Sequence, residues 1–318
     1  MSEIPRRALG HSGLKVAPFA LGGNVFGWTV DERTGFRLLD DFVSAGFNLI
    51  DTADTYSKWI SGHQGGESET MIGRWLHESG RRDEVLIATK VGMEMGNGSK
   101  GLARSHIEAS VEDSLRRLQT DEIDLYQAHI DDPRTPLEET LGAFDRLKKA
   151  GKVRAIGASN YSADRLEEAL QTSNRLGLAR FESLQPKYNL MDRSEFEGGV
   201  ESVCRKYGLG VLTYASLASG FLTGKYRSKA DLGKSPRGAR AEQRLTERGL
   251  RILEALDGVA ARLDAAPSTV ALAWLMARPM VTAPIASATS EAQLQDLIRG
   301  ASLHLDAEAK QLLDRASG

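Results

Sequence analysis

Cysteine is almost absent from the sequence, and neither sign of charge is in surplus. Cys204 is the single cysteine among 318 residues, so no intrachain disulfide can form, and a reducing compartment is favoured. The 41 lysines and arginines nearly balance the 43 aspartates and glutamates, which gives a formal net charge of -2. A nucleic acid or an anionic membrane surface is therefore not expected as a partner.

A long uninterrupted apolar run is also missing. The most apolar region, residues 270–288, is broken by Arg278, Pro279 and Pro284, so it cannot cross a bilayer as one helix. The opening residues 1–7 lack the apolar centre of a signal peptide. These features predict a soluble, cytoplasmic protein without a membrane partner.

The sequence does contain a regular alternation of strand-like and helix-like segments. Hydrophobic residues make up 41% and charged residues 26%, as in ordinary globular proteins. Eight strand–helix units without a disordered linker predict an α/β fold, a (β/α)8 TIM barrel forming a single domain over residues 1–318. A short N-terminal β-hairpin is expected within residues 7–16, and an extra helix over residues 268–277. The predicted strands are residues 16–21, a strand ending at Asp51, and residues 85–90, 123–129, 153–159, 183–187, 211–214 and 281–285.

Residues that favour helix ends mark several boundaries. Asp31 is predicted to cap a helix that runs to Ala45. Residues 105–108 and 135–138 have capping-box spacing, the second with proline in the first helical position. Residues 216–245, rich in glycine, lysine and arginine, interrupt the alternation and are predicted to form a functional loop on the catalytic face.

Three consecutive predicted strands deliver reactive side chains at or just past their C-terminal ends. Asp51 and Tyr56 follow the second strand, Lys90 ends the third, and His129 ends the fourth. Catalytic side chains of parallel barrels collect at this face. We therefore expect these four groups to lie close together.

The four groups together have the chemistry of a proton donor. A phenol has a reference pKa of about 10, and an adjacent ammonium lowers it. Lys90 is expected to act in this way on Tyr56, Asp51 to hold the lysine charged and oriented, and His129 to hydrogen-bond the same reacting oxygen. No nucleophile elbow and no metal-ligand spacing is present, so no metal site is predicted. A carbonyl that is protonated without a metal or covalent catalyst needs a hydride from a cofactor.

Six motifs, in this order, resemble those of the aldo-keto reductase superfamily. They lie at residues 51–56 (DTADTY), 88–90 (ATK), 124–129 (DLYQAH), 157–160 (GASN), 185–189 (QPKYN) and 220–225 (GFLTGK). The resemblance spans nearly the whole chain and implies a TIM barrel that reduces aldehydes and ketones with NADPH. The last motif resembles the branches of potassium-channel β subunits and bacterial glycerol or sugar-aldehyde reductases more than the aldose-reductase branch.

The resemblance also implies roles for individual residues. Tyr56 resembles the general acid, Lys90 and Asp51 its tuning pair, and His129 the orienting group. Tyr214 resembles the aromatic residue on which the nicotinamide ring stacks. The other residues that it implies for cofactor binding are Gly23, Asn24, Asp51, Ser159, Asn160, Gln185, Ser216, Leu217, Gly220, Leu222, Gly224, Lys225, Arg240, Ala286, Ser287, Thr289 and Gln293.

The sequence departs from the family pattern at the adenosine end of the expected cofactor site. Residues 286–290 carry no charge where a lysine or arginine often grips the 2′-phosphate of NADP, and Asp296-Leu297 replaces a common Glu-Asn pair. Lys225, Arg227, Arg237 or Arg240 could supply the missing charge. NADP(H) is the favoured cofactor, with NAD(H) as the alternative.

The substrate is not encoded in any motif. Pocket specificity in barrels comes from loops, here residues 26–29, 57–67, 93–103, 131–135 and 226 onward, and Trp28 and Trp59 are the candidate pocket aromatics. A small-molecule carbonyl or alcohol is the expected partner, and a homo-oligomer is compatible with the sequence.

Two other functions remain open at this point. The first is an NADP(H)-binding regulatory module that acts through a protein partner with little turnover, although the short segment before the first strand argues against an inactivating tail. The second is an aldolase that uses Lys90 as a Schiff-base amine, which the carboxamide-anchor motifs disfavour.

Overall fold

A computed structural model describes residues 4–318. Met1–Glu3, the start of the segment predicted to lack a targeting signal, lie outside the described residues. The strands are β1 Arg7–Ala8, β2 Lys15–Val16, β3 Ala20–Gly22, β4 Leu49–Asp51, β5 Leu86–Val91, β6 Ile123–Ala128, β7 Val153–Ser159, β8 Phe181–Gln185, β9 Gly210–Thr213 and β10 Val281–Ala286. β1 and β2 pair as an antiparallel hairpin, and the other eight close a parallel barrel in the order β10-β3-β4-β5-β6-β7-β8-β9. The predicted (β/α)8 barrel with an N-terminal hairpin is confirmed.

Helices surround the barrel. They are α1 Glu32–Ser44, α2 Glu67–Ser79, α3 Arg104–Leu118, α4 Leu137–Lys149, α5 Ala163–Leu176, α6 Gly199–Tyr207, α7 Gly238–Glu242, α8 Glu247–Arg262, α9 Pro267–Met276, α10 Glu291–Gly300 and α11 Ala307–Ser317. Asp31 caps α1 as predicted, because its carboxylate accepts a 2.8 Å hydrogen bond from the Thr34 N–H. No helix of the described residues is long and apolar enough to cross a membrane.

The two predicted capping boxes are wrong. α3 has Ala103 as its N-cap, without a side-chain cap, and the Arg104 N–H donates instead to Glu139 of α4 at 2.9 Å. α4 has Pro136 as its N-cap rather than its first residue, and the Thr135 hydroxyl donates to Asp132 at 2.9 Å. In both places a tertiary or loop contact replaces the local cap that the spacing suggested.

Residues 216–245 are not an open loop. Two 3-10 segments, Ala218–Thr223 and Lys229–Lys234, precede the short helix α7, and Phe221, Leu222 and Tyr226 are fully buried. We call residues 225–245 the strap. Part of the strap lies against the cavity described below, on the face where the sequence predicted a functional loop. α8, which follows it, was not assigned from the sequence.

The hairpin closes the N-terminal end of the barrel. Leu9, Leu14 and Val16 pack in one buried cluster with barrel-interior residues such as Leu125 and Leu212. A second, larger cluster fills the layer between the strands and the surrounding helices. The interior is therefore packed at the hairpin end, and a site can form only at the C-terminal ends of the strands.

Candidate active site

The barrel register brings the four predicted reactive side chains to one end of the molecule. Asp51 ends β4 and is paired with Ala88 of β5, two residues before Lys90. His129 directly follows β6. Tyr56 lies on the turn after β4. The side chains of Asp51 and Lys90 are almost completely buried, and His129 is 7% exposed.

The Lys90 ammonium is fixed by three hydrogen bonds. Its Nζ donates to Asp51 Oδ2 at 2.7 Å, to the Thr52 carbonyl at 2.7 Å and to the Tyr56 hydroxyl at 3.0 Å. The distance from the Tyr56 hydroxyl to Asp51 Oδ2 is 3.5 Å, at the outer limit of a hydrogen bond. An ammonium has three N–H donors, so all of them have partners here.

The pKa of the Tyr56 phenol differs from the one predicted from the sequence. Burial raises the pKa of Tyr56 to about 12, although the Lys90 ammonium acts in the opposite direction and Asp51 adds to the rise. The expectation that Lys90 favours the phenolate is correct for that one interaction, but the net acidity expected from it is wrong. Tyr56 is protonated at neutral pH and carries a proton to donate.

Lys90 is charged and His129 is neutral in this site. Burial alone favours the neutral amine of Lys90, but Asp51 and Tyr56 more than compensate, so the pKa of Lys90 is raised and the amine is charged. Burial, followed by the Lys90 ammonium, holds the pKa of His129 well below its ordinary value. The imidazole is therefore neutral, and its ring centroid lies 6.0 Å from that of Tyr56.

Polar side chains of β7 and β8 extend this network. Gln185 Nε2 donates to Asp51 Oδ1 at 2.8 Å and to Gln127 Oε1 at 3.3 Å. Asn160 Nδ2 donates to the His129 carbonyl at 2.9 Å, and Asn160 Oδ1 accepts from the Tyr214 hydroxyl at 2.7 Å. The amide groups predicted as carboxamide anchors are thus held in place beside the reactive residues.

One cavity of about 1280 Å³ opens above these groups. It is larger than the roughly 300–1,000 Å³ of a typical small-molecule pocket, so it has room for a dinucleotide together with a substrate. The predicted site residues that line it are Asn24, Trp28, Asp51, Tyr56, Trp59, His129, Ser159, Asn160, Gln185, Tyr214, Ser216, Leu217, Gly220, Lys225, Arg240, Ala286, Ser287, Thr289 and Gln293.

Four predicted site residues do not line the cavity. Lys90 lies beneath it, fully buried. The Gly23 N–H donates to the Asp51 carbonyl at 2.7 Å, so this residue joins β3 to β4 instead. Leu222 is buried in the core, and Gly224, at φ +78°, ends the first 3-10 segment. The expectation that Gly23, Leu222 and Gly224 contact a cofactor directly has no support from their positions.

The family model for the aldo/keto reductase family matches residues 18–317. The chain belongs to the aldo/keto reductase family. Such enzymes are oxidoreductases that act on small molecules and generally use nicotinamide cofactors, so the resemblance predicted from the motifs is confirmed.

Curated relatives of this aldo/keto reductase include oxidoreductases and channel subunits. The chain is 36% identical to the uncharacterized oxidoreductase YrpG of Bacillus subtilis, over 96% of this chain and 94% of the relative. It is 34% identical to a probable voltage-gated potassium channel subunit beta of Oryza sativa, over 90% and 88%. It is 29% identical to the L-glyceraldehyde 3-phosphate reductase of Escherichia coli, over 93% and 87%. These relatives agree with the predicted branch of the family.

Most cationic side chains that line the cavity of this aldo/keto reductase come from its strap. Lys225, Arg237 and Arg240 line the cavity, and no carboxylate within residues 4–318 lies at ion-pairing distance from them. Lys234 and Arg244 also line it, but they pair with Asp231 and Asp192. Neither Lys234 nor Arg244 was predicted from the sequence as a site residue.

Arg227, another predicted source of charge, is not on the cavity wall. It pairs with Asp257 at 2.7 Å. Asp296, by contrast, does line the cavity. The charges available to an anionic ligand are therefore those of Lys225, Arg237 and Arg240.

The cavity wall near Tyr56 is apolar. Trp28 and Trp59 stand edge to face with their ring centroids 5.6 Å apart, and the Trp59 ring lies 6.2 Å from that of Tyr56. Met93, from a loop predicted to shape the pocket, and Ile130 line the same cavity. Ile130 was missed, although its position directly after His129 at the end of a barrel strand could have indicated it.

Among the described residues, no group of three or more histidine, cysteine or acidic side chains is arranged to hold a metal ion.

Proposed function

We propose that this aldo/keto reductase is an NADP(H)-dependent enzyme that reduces aldehydes and ketones to alcohols, and also catalyses the reverse reaction. The observation that carries the proposal is a hydrogen-bonded set in which Tyr56 and Asp51 line a cavity large enough for a dinucleotide and Lys90 is buried beneath them. A bound nicotinamide dinucleotide supplies hydride to the carbonyl carbon. The chain must then provide a proton and a polar environment for the oxygen.

In this proposal Tyr56 gives its proton to the carbonyl oxygen as negative charge develops there. The Lys90 ammonium, 3.0 Å from the phenol oxygen, stabilises the tyrosinate that remains. Asp51 keeps Lys90 charged and oriented through their 2.7 Å contact. The neutral His129 donates a hydrogen bond that orients the substrate oxygen.

Other cavity residues fit the dinucleotide. Ser159, Asn160 and Gln185 would hold the carboxamide, and Tyr214 would stack on the nicotinamide ring. Ser216, Leu217, Gly220 and Lys225 would line the pyrophosphate. Ala286, Ser287, Thr289 and Gln293 lie at the N-terminal end of α10, where backbone N–H groups suit the anionic adenosine end.

A turnover assay tests the proposal. Purified protein mixed with NADPH and a panel of aldehydes and ketones should consume NADPH, as followed by its absorbance, and should form the alcohols. The competing function is a nicotinamide-binding module that acts through a protein partner, which the similarity to a probable potassium channel subunit beta supports. Tight NADPH binding without turnover of any panel member, together with a stoichiometric partner, would favour that module.

The strap arginines should determine the preference for NADP(H). Because Arg237 and Arg240 have no carboxylate partner within residues 4–318, we propose that they bind the 2′-phosphate, in place of the uncharged residues 286–290. Replacing Arg240 or Arg237 with methionine should weaken NADPH binding by roughly ten-fold, as expected for loss of one charged hydrogen bond. NADH binding should change by much less.

Fluorescence titration with both cofactors measures this effect. Arg227→Met is the matched control, because Arg227 lies near the strap's start but is paired with Asp257 away from the cavity. An equal loss of NADPH and NADH affinity in the Arg237 and Arg240 variants would contradict a contact to the 2′-phosphate.

A further inference from the structure

We propose that the substrate of this enzyme carries an uncharged aromatic group, which packs against the contacting pair Trp28 and Trp59 beside Tyr56, a surface that we call the aromatic slot. The inference rests on the proposed reductase function and specifies the substrate class of the same site. It follows from the shape of the cavity wall beside Tyr56 and from where the cavity's charges are.

The wall of the cavity beside Tyr56 is built from large apolar side chains. Val25, Trp28, Trp59, Met93 and Ile130 line it. Only five large hydrophobic side chains are exposed among the described residues, and two of them, Trp59 at 42% and Ile130 at 41%, belong to this wall. Exposed apolar side chains grouped at one place mark a surface that binds an apolar partner.

The aromatic rings of this wall form a chain of contacts that reaches Tyr56, the proposed proton donor. Trp28 meets Trp59 edge to face, Trp59 is tilted against Tyr56, and Tyr56 is edge to face with His129. Their centroid separations of 5.6, 6.2 and 6.0 Å are those of favourable aromatic pairs. An aromatic ring attached to a carbonyl would continue this arrangement while its oxygen reaches Tyr56 and His129.

Charge argues against an anionic substrate at this wall. His129 is neutral because burial and Lys90 hold its pKa low. Lys187, the cavity cation that follows β8, is neutralised by Glu195 at 2.7 Å and Asp192 at 3.3 Å. The cavity cations without a carboxylate partner in the described chain, Lys225, Arg237 and Arg240, belong to the proposed cofactor phosphates.

Arg237 is a cation of the cavity that contacts this wall directly. Its guanidinium lies 5.2 Å from the centre of the Trp28 ring and donates to Asn24 Oδ1 at 3.4 Å. A cation over an indole stabilises the position of that ring. Arg237 therefore holds Trp28 in position at the aromatic slot. A phosphate or carboxylate of the substrate would have to compete with the cofactor for this arginine.

Matched substrates test the charge preference. Para-methylbenzaldehyde and para-carboxybenzaldehyde have similar size and the same electrophile, but only the second is an anion at neutral pH. With NADPH, kcat/KM should be at least about ten-fold higher for the methyl compound, the factor expected for one unfavourable desolvated charge. Glyceraldehyde 3-phosphate should be a poor substrate. A preference for either anion would overturn the proposal.

Substitution of the exposed tryptophan tests the aromatic slot. Trp59→Ala should lower kcat/KM for para-methylbenzaldehyde by about ten-fold, through a higher KM, and lower the value for propanal by much less. Trp59→Phe should restore most of the loss, because it restores a ring. Leu176→Ala, which removes an equally exposed apolar side chain elsewhere, is the control. An equal loss for the aromatic and the aliphatic aldehyde would refute the slot.

A binding measurement separates this proposal from the proposed function. If the protein turns over no carbonyl, the reductase assignment fails, and tryptophan fluorescence still reports on the slot. Para-methylbenzyl alcohol should then quench the fluorescence at lower concentration than para-carboxybenzyl alcohol, and Trp59→Ala should abolish the difference. Equal or reversed affinities would overturn the slot independently of turnover.

Discussion

Replacing Tyr56 with phenylalanine should lower the rate of carbonyl reduction by about a thousand-fold, within the range that a general acid contributes. Phenylalanine fills the same space but has no proton to give and no oxygen to accept from Lys90. The affinity for NADPH should stay within about two-fold, because the phenol oxygen is not among the proposed cofactor contacts. Steady-state turnover of an aldehyde and fluorescence titration with NADPH measure the two quantities separately.

Tyr126→Phe is the matched control for this experiment. Tyr126 is a fully buried tyrosine of β6, the strand paired with β5, and its hydroxyl has no hydrogen-bond partner among the described residues. The same chemical change there should leave turnover unaffected. Wild-type turnover in Tyr56→Phe would remove Tyr56 from the mechanism, and comparable losses in both variants would indicate a general disturbance of the barrel.

Replacing Lys90 with methionine should have two large effects. Turnover should fall at least about a hundred-fold, because the tyrosinate that forms on proton transfer loses its adjacent ammonium. The free energy of unfolding should fall by about 3–5 kcal/mol, since Asp51 would remain buried as a charge without its partner. Aldehyde turnover and urea unfolding followed by circular dichroism measure these effects.

The double variant Lys90→Met with Asp51→Asn separates stability from catalysis. Asparagine removes the uncompensated charge and can still accept the hydrogen bond from Gln185. Most of the lost unfolding free energy should therefore return, while turnover should stay low. If turnover returned along with stability, Lys90 would act only by supporting the barrel.

The fold and the reactive residues could be predicted because each depends on short, local patterns. An apolar run ending in Asp51 or Lys90 identifies both a strand and its C-terminal end, and parallel closure then brings the neighbouring ends together. The position of the cavity followed from the same rule. No knowledge of distant contacts was needed for either prediction.

The caps of α3 and α4 and the conformation of the strap could not be predicted, because distant parts of the chain decide them. Glu139 of α4 satisfies the first N–H of α3, so a local capping box was unnecessary there. Which strap cations face the cavity depends on partners such as Asp257 for Arg227. The net pKa of Tyr56 likewise depends on burial, which the spacing of charged residues does not reveal.

The hydrogen bond from Lys90 to the Tyr56 oxygen has a directional consequence. A hydroxyl oxygen that accepts from one side must point its own hydrogen elsewhere, and Thr52 and Asp51 already take the other two ammonium protons below it. The hydroxyl proton is directed at Asp51 Oδ2, 3.5 Å away and at the outer limit of a hydrogen bond, while the phenol lines the cavity. Only this long contact has to be given up when the hydroxyl turns from Asp51 towards a substrate oxygen, so the proton can be redirected without breaking a strong hydrogen bond.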